Sequence, residues 1–177
     1  MSNLWDAQQP TPVNTTVVPG ETLPQVFWNA AALRGERVFM RRKLLGLWES
    51  WSWQQTSTAV REIAMGLAAL GFEQGDCASI LSNTVLEWVL ADLAIQSAGG
   101  VTNGVYPTDS TAQLQYLSAD SASSVLFVED EEQLDKALEV REQLPLLKKI
   151  IVFDMRGLRH FADAGVLSLE ALRELGR

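Results

Sequence analysis

"SVLFVEDEEQLDKALEVREQLPLLKKIIVF", residues 124–153, decides the fold class. It opens on an apolar run (124–128) and closes on a second (149–153). Both are short and rich in β-branched and aromatic residues, as strands are. Between them, residues 131–144 read as a charged helix that Pro145 closes off. Strand, helix and strand in this order form a βαβ unit, which joins parallel strands by a right-handed crossover.

The same alternation extends upstream. "CASIL" (77–81) is a short apolar run after a Gly-Asp turn. Residues 84–98 are apolar almost all round, so a buried helix is expected there, with Asn83 as its cap and Gly99 as its stop. "GVTNGV" (100–105) reads as a strand. A short helix follows, with Leu114 and Leu117 inward and either Asp109 or Ser110 as its cap. The sum is an α/β fold whose largely parallel sheet is covered by helices on both faces. Ahead of this region, a helix is expected over 23–33, with Thr22 as cap and Pro24 in its first turn. Runs 37–43 and 47–52 around Gly46 predict an antiparallel hairpin. Ser52 and Gln55 fit a capping box. The helix after it carries Val60, Ile63, Leu67 and Leu70 on one stripe and ends at Gly71. Residues 1–21, with Pro10, Pro12 and Pro19, read as a flexible N-terminal arm. After Asp154 the pattern weakens: 155–167 reads as loop and 168–177 as a last short helix. No further strand is expected, so the sheet reads as cut off in progress.

The chain has 177 residues, 47% apolar, which supports a real core. Its 14 basic and 22 acidic residues give a net charge of -8. That excludes nucleic acid as the main partner, since phosphate contacts need a basic face. The one basic cluster, Arg41-Arg42-Lys43, reads as a solvated strand edge. The single cysteine, Cys77, excludes an internal disulfide and reads as a small buried hydrophobe. The N-terminus lacks the pattern of a secretory signal, and no apolar run is long enough to span a membrane. Asn14-Thr15-Thr16 is a sequon with no export to use it. The expected compartment is cytoplasmic.

Motifs for chemistry are sparse. No G-x-G-x-x-G is present. Gly66 and Gly71 have P-loop spacing, but Phe72-Glu73 stand where Lys and Ser/Thr are required. One histidine, His160, and one cysteine cannot build an ordinary zinc site. The acidic run 129–132 lacks the alternate spacing of a calcium loop and reads as a solvated helix start. "GGVTNGVYPTDST" (99–111) has the glycines and the strand-to-helix position of a phosphate loop, yet an aspartate at the helix start would repel phosphate. The residues favour a packing and turn role there, with Gly100 and Gly104 letting backbone approach a neighbour.

The order of these pieces is familiar. "WESWSWQQTSTAVREIAMGLAALGFEQGDCASILSNTVLEW" together with "LEWVLADLAIQSAGGVTNGVYPTDSTAQLQYLSADSASSVLFVEDEEQLDKALEVREQLPLLKKIIVFD" closely resembles the N-terminal part of long-chain fatty-acid–CoA ligases. These AMP-forming acyl-CoA synthetases belong to the adenylate-forming superfamily. The resemblance covers about residues 22–154. Gly104-Val105-Tyr106-Pro107-Thr108 resembles the long-chain group, whereas relatives acting on short or aromatic acids more often carry an asparagine-proline version of this turn.

The resemblance implies the N-terminal subdomain of the adenylate-forming ligase fold: a largely parallel βαβ sheet with flanking helices plus an antiparallel hairpin. It implies residues 22–177 as a truncated N-terminal part of an AMP-binding domain. In the full-length family, a fatty-acid carboxylate attacks the α-phosphate of ATP with Mg²⁺ assistance, giving an acyl-adenylate and pyrophosphate. CoA thiol then displaces AMP. The family's Ser/Thr/Gly-rich phosphate loop, its Thr-Glu pair near Mg²⁺, its ribose-binding aspartate and its C-terminal lysine are all missing here. No catalytic, cofactor-binding or metal-ligating residue therefore carries over. ATP, Mg²⁺ and CoA are expected for the full-length family, and none bound to this chain alone. The resemblance also leaves room for a homodimer and for peripheral membrane association. Two other readings compete with a ligase fragment: a non-catalytic dimerisation or docking module reusing the fold, and a flavodoxin-like nucleotide binder.

Overall fold

The structure is a computed structural model that describes residues 17–177. Most of the expected N-terminal arm, residues 1–16, lies outside the described residues. The chain runs α1 (Leu23–Arg34), β1 (Val38–Leu44), β2 (Leu47–Ser52), α2 (Trp53–Ala69), β3 (Cys77–Leu81), α3 (Leu86–Ser97), β4 (Val101–Val105), α4 (Thr111–Asp120), β5 (Ser123–Val128), α5 (Glu131–Val140), β6 (Lys149–Val152), β7 (Val166–Ser168) and α6 (Leu169–Leu175).

Strands β3 to β7 form one parallel sheet in the order β4-β3-β5-β6-β7. The period-2 alternation of each strand feeds two separate cores. Ala78, Ile80, Val125, Phe127 and Ile151 face a layer built from α1, α2, α3 and α6. Leu81, Leu126, Val128, Ile150 and Val152 face α4 and α5. Every residue of β3 and β5 is buried, which is why both read as unbroken apolar runs rather than alternating ones.

The helix boundaries follow local chemistry. Thr22 caps α1, and Ser52–Gln55 forms a full capping box on α2. Gly71 takes a positive φ of 77° just after α2. Gly66 is mid-helix, where α6 crosses α2: a Cβ there would collide with the carbonyl oxygen of Leu172. Its P-loop spacing with Gly71 is therefore a packing coincidence.

Four expectations are corrected. The buried helix starts at Leu86, not 84, and Asn83 does not cap it, because its side chain turns to Glu129. The charged helix stops at Val140 and tightens into one 3₁₀ turn, Arg141–Gln143, before Pro145. A further strand does follow: β7 pairs with β6 in parallel, Ile151 opposite Leu167. Its crossover, 153–165, is a loop whose buried Leu158 packs where a helix would otherwise sit. Finally, Gly104 lacks a positive φ, and a Cβ there would meet only the Trp88 ring at 3.9 Å, so no close approach requires it. Gly100 does need its hydrogen, since Phe72 and the Asp76 carbonyl crowd it.

The hairpin β1–β2 stands outside the sheet. Its base is held by an aromatic cluster in which Phe39 and Trp53 lie 4.1 Å apart and Phe27 contacts both. The Arg34 guanidinium stacks 4.9 Å above Trp53. Leu44 pairs with Leu47, leaving a two-residue turn of Leu45 (φ 49°) and Gly46 (φ 84°). Positive φ at both turn positions matches the twist of a hairpin, and Asn-Gly is the usual solution.

Candidate functional site

In open parallel sheets, ligands bind beyond the carboxyl ends of the strands, where the strand order reverses. Here β4 lies on one side of β3 and β5 on the other, so the reversal is between β3 and β5. A cleft of about 1000 Å³ lies at this end. Its walls include Thr84 after β3, Glu129 after β5, Phe153 and Asp154 after β6, and Arg42 from the hairpin.

The crevice itself is occupied by the protein's own carboxylate. Glu129 Oε2 accepts hydrogen bonds from the Asn83 backbone N–H (2.7 Å), the Asn83 side-chain amide (3.0 Å) and the Ser82 hydroxyl (3.1 Å). These are the donors a phosphate would use. Of the four cations that line this cleft, Arg41, Arg42, Lys43 and Arg156, two are committed to carboxylates. Arg42 bonds Glu49 and, at 2.8 Å, Glu87 of α3. Burial works against its charge, but these two carboxylates outweigh it and hold its pKa above the usual value. Arg156 bonds Asp154 through its side chain and its backbone N–H, which holds the Asp154 carboxyl below its usual range.

The stretch 99–111 is likewise closed on itself. Ser110, rather than Asp109, caps α4 and shares a capping box with Gln113. Asp109 instead accepts from the Tyr106 N–H, and Lys136 of α5 donates to the Pro107 carbonyl at 2.6 Å. The acidic run 129–132 divides its work. Glu129 makes the clamp, Asp130 caps α5, and Glu131 and Glu132 lie in the first turn. Cys77 is a free, buried thiol. No group of three or more His, Cys, Asp or Glu side chains that could hold a metal ion occurs among the described residues.

One polar cluster had no signal in the sequence. Ser79 and Ser123 are buried 2.7 Å apart under α4, joined by Asn103 (2.9 Å to Ser79) and by Ser121 (2.8 Å to Ser123). Serines in apolar strands read as neutral fillers. Only the parallel register, Ser79 opposite Asn103, brings them together. The cluster ties edge strand β4 to the sheet.

Comparison with known proteins bears on what this scaffold belongs to. The family model for AMP-binding enzymes matches residues 27–168. A long-chain-fatty-acid–CoA ligase of Mus musculus, ACSBG1, is 31% identical over 156 residues, covering 88% of this chain and 21% of that protein. FadD15, a long-chain-fatty-acid–CoA ligase of Mycobacterium bovis, is 30% identical over 139 residues, covering 78% of this chain and 22% of its own length. The chain thus spans about a fifth of the length of these relatives. Among solved structures, the A-PCP didomain of a carboxylic acid reductase from Segniliparus rugosus, in complex with AMP, superposes with a TM-score of 0.75 at 19% identity. It is covered over 27% of its length by 89% of this chain. The anthranilate CoA ligase AuaEII, with anthranoyl-AMP, gives 0.70 at 20% identity, with 85% of this chain on 26% of that one. At such identities these two establish the fold.

Proposed function

Because the chain belongs to the AMP-binding enzyme family, we propose that it is the N-terminal part of a long-chain acyl-CoA synthetase. The observation that carries this reading is the 31% identity to a long-chain-fatty-acid–CoA ligase along nearly the whole chain. In the full-length enzyme a fatty acid is activated with ATP, aided by Mg²⁺, to an acyl-adenylate and passed to CoA. The part described here supplies scaffold: a five-stranded sheet, two helical layers and a hairpin.

By itself this chain does not adenylate. Adenylation depends on donors and cations held around the phosphates. The donors at the β3–β5 crevice are already taken by Glu129. The test is fatty-acid-dependent ATP–pyrophosphate exchange, run on this chain and on the same chain extended through whatever the downstream reading frame encodes. Exchange in the extended protein and none in the 177-residue chain is the expected result. Exchange by the short chain overturns its inactivity. A downstream frame without a phosphate loop overturns the ligase reading in favour of a docking or dimerisation module.

A further inference from the structure

The tip of the β1–β2 hairpin combines three features that the fold does not explain. Leu45 is 94% exposed, Leu47 76%, Trp48 69% and Leu44 50%, so the tip overhangs the body even on its inward side. Leu45 also adopts φ 49°, a left-handed conformation that branched aliphatic side chains disfavour and asparagine accepts. The position therefore holds a residue that suits neither its backbone nor its solvent. Thirdly, the outward face carries cations without anions. In the register Arg41 lies opposite Ser50 and Lys43 opposite Trp48. Both cations are exposed. Among the described residues neither pairs with a carboxylate, whereas inward-facing Arg42 pairs with two.

We infer that this hairpin tip is a membrane-docking wedge for anionic bilayers. Leucines at the apex enter the acyl region, Trp48 sits at the headgroup level where its amphipathic ring is favoured, and Arg41 and Lys43 meet lipid phosphates. The net charge of -8 gives the arrangement its orientation, since the rest of the surface is repelled by the same lipids. One apolar tip with two cations gives reversible attachment rather than anchorage. No described helix is long and apolar enough to cross a membrane, so attachment through the tip needs no spanning segment.

The test is co-sedimentation of the 177-residue chain with phosphatidylcholine vesicles, with and without phosphatidylglycerol, at rising salt. The expected result is binding to the anionic vesicles that weakens with salt. Leu45→Asn lowers the partition coefficient about tenfold, the loss of one leucine from the apolar phase. The same variant raises the melting temperature, because Asn accepts the turn conformation, so weaker binding cannot be mistaken for unfolding. Arg41→Gln and Lys43→Gln each weaken binding about fivefold, one lipid-facing charge apiece. Leu146→Asn, at an exposed leucine elsewhere, leaves binding unchanged. Absence of wild-type binding to anionic vesicles, or equal binding by Leu45→Asn, overturns the inference. So does a hairpin variant that changes the sedimentation size of the chain but not its vesicle binding, since the tip then contacts protein.

Discussion

Glycines and acids of this chain look alike in the sequence and differ sharply in the structure. Gly66→Ala should destabilise the fold by about 1–3 kcal/mol, because the new methyl group meets backbone of α6 that no rotamer change can move. Helix propensity alone predicts the opposite, a gain of about 1 kcal/mol. Chemical denaturation decides the sign. Gly104→Ala, by contrast, should be neutral or slightly stabilising, with ordinary φ and only a distant ring nearby. At the α4 start, Ser110→Ala should cost about 0.5–2 kcal/mol, and Asp109→Ala clearly less, since only Ser110 accepts from the Gln113 N–H in the first turn. The glycine-rich stretch invited a phosphate reading from composition. What the sequence withheld was which donors were already taken.

At the scale of elements, α6 is held to α2 by charge as well as by packing. Glu62 of α2 is only 12% exposed in its side chain and receives Arg173 at 2.7 Å and Arg177 at 3.2 Å. Burial alone would raise its pKa, but the two guanidinium groups outweigh burial and hold it below the ordinary glutamate value. The unfolded chain therefore takes up this proton at a higher pH than the folded one. The stabilisation is complete above the ordinary glutamate value and is lost as pH falls through the lowered one. Glu62→Gln should flatten the acid limb of a stability-versus-pH curve and lower stability at neutral pH by about 1–3 kcal/mol. An unchanged acid limb would show that the contact is not kept in solution. The two ends of the chain were unequally legible for a related reason. α2 announces itself by Ser52, Gln55 and a clean apolar stripe. β7 has three residues and reaches its place through a loop, so neither periodicity nor a preceding helix marks it.

For the whole molecule, the two-core layout was readable because β3, β5 and β6 are apolar runs separated by helices, and parallel sheets covered on both faces demand that pattern. The strand order was not. That β5 should pair with β3 rather than with β4 follows from α4 crossing the opposite face from α3, and no single residue encodes it. The candidate site was unreadable for the same reason, since Glu129 and Asn83 become neighbours only once β3 and β5 pair. Hydrogen exchange should report this layout. Amides of β3, β5 and β6 are expected to exchange slowest, and those of the hairpin tip and β7 fastest, because the former lie between two cores. Uniform protection across all seven strands would mean that the hairpin and the sheet open as one unit.

The collision point at Gly66 also has a consequence for how the protein is made. The surface of α2 around Gly66 is complete only when Leu172 lies on it, yet more than a hundred residues separate the two in the chain. During vectorial synthesis, at roughly 5–20 residues per second, that surface waits several seconds for its cover. A ribosome-bound chain stalled before α6 emerges should be cut by protease within α2, and one stalled well past Arg177 should resist. The emergence of α6 from the tunnel would then be the latch that closes this vulnerable surface of the nascent chain.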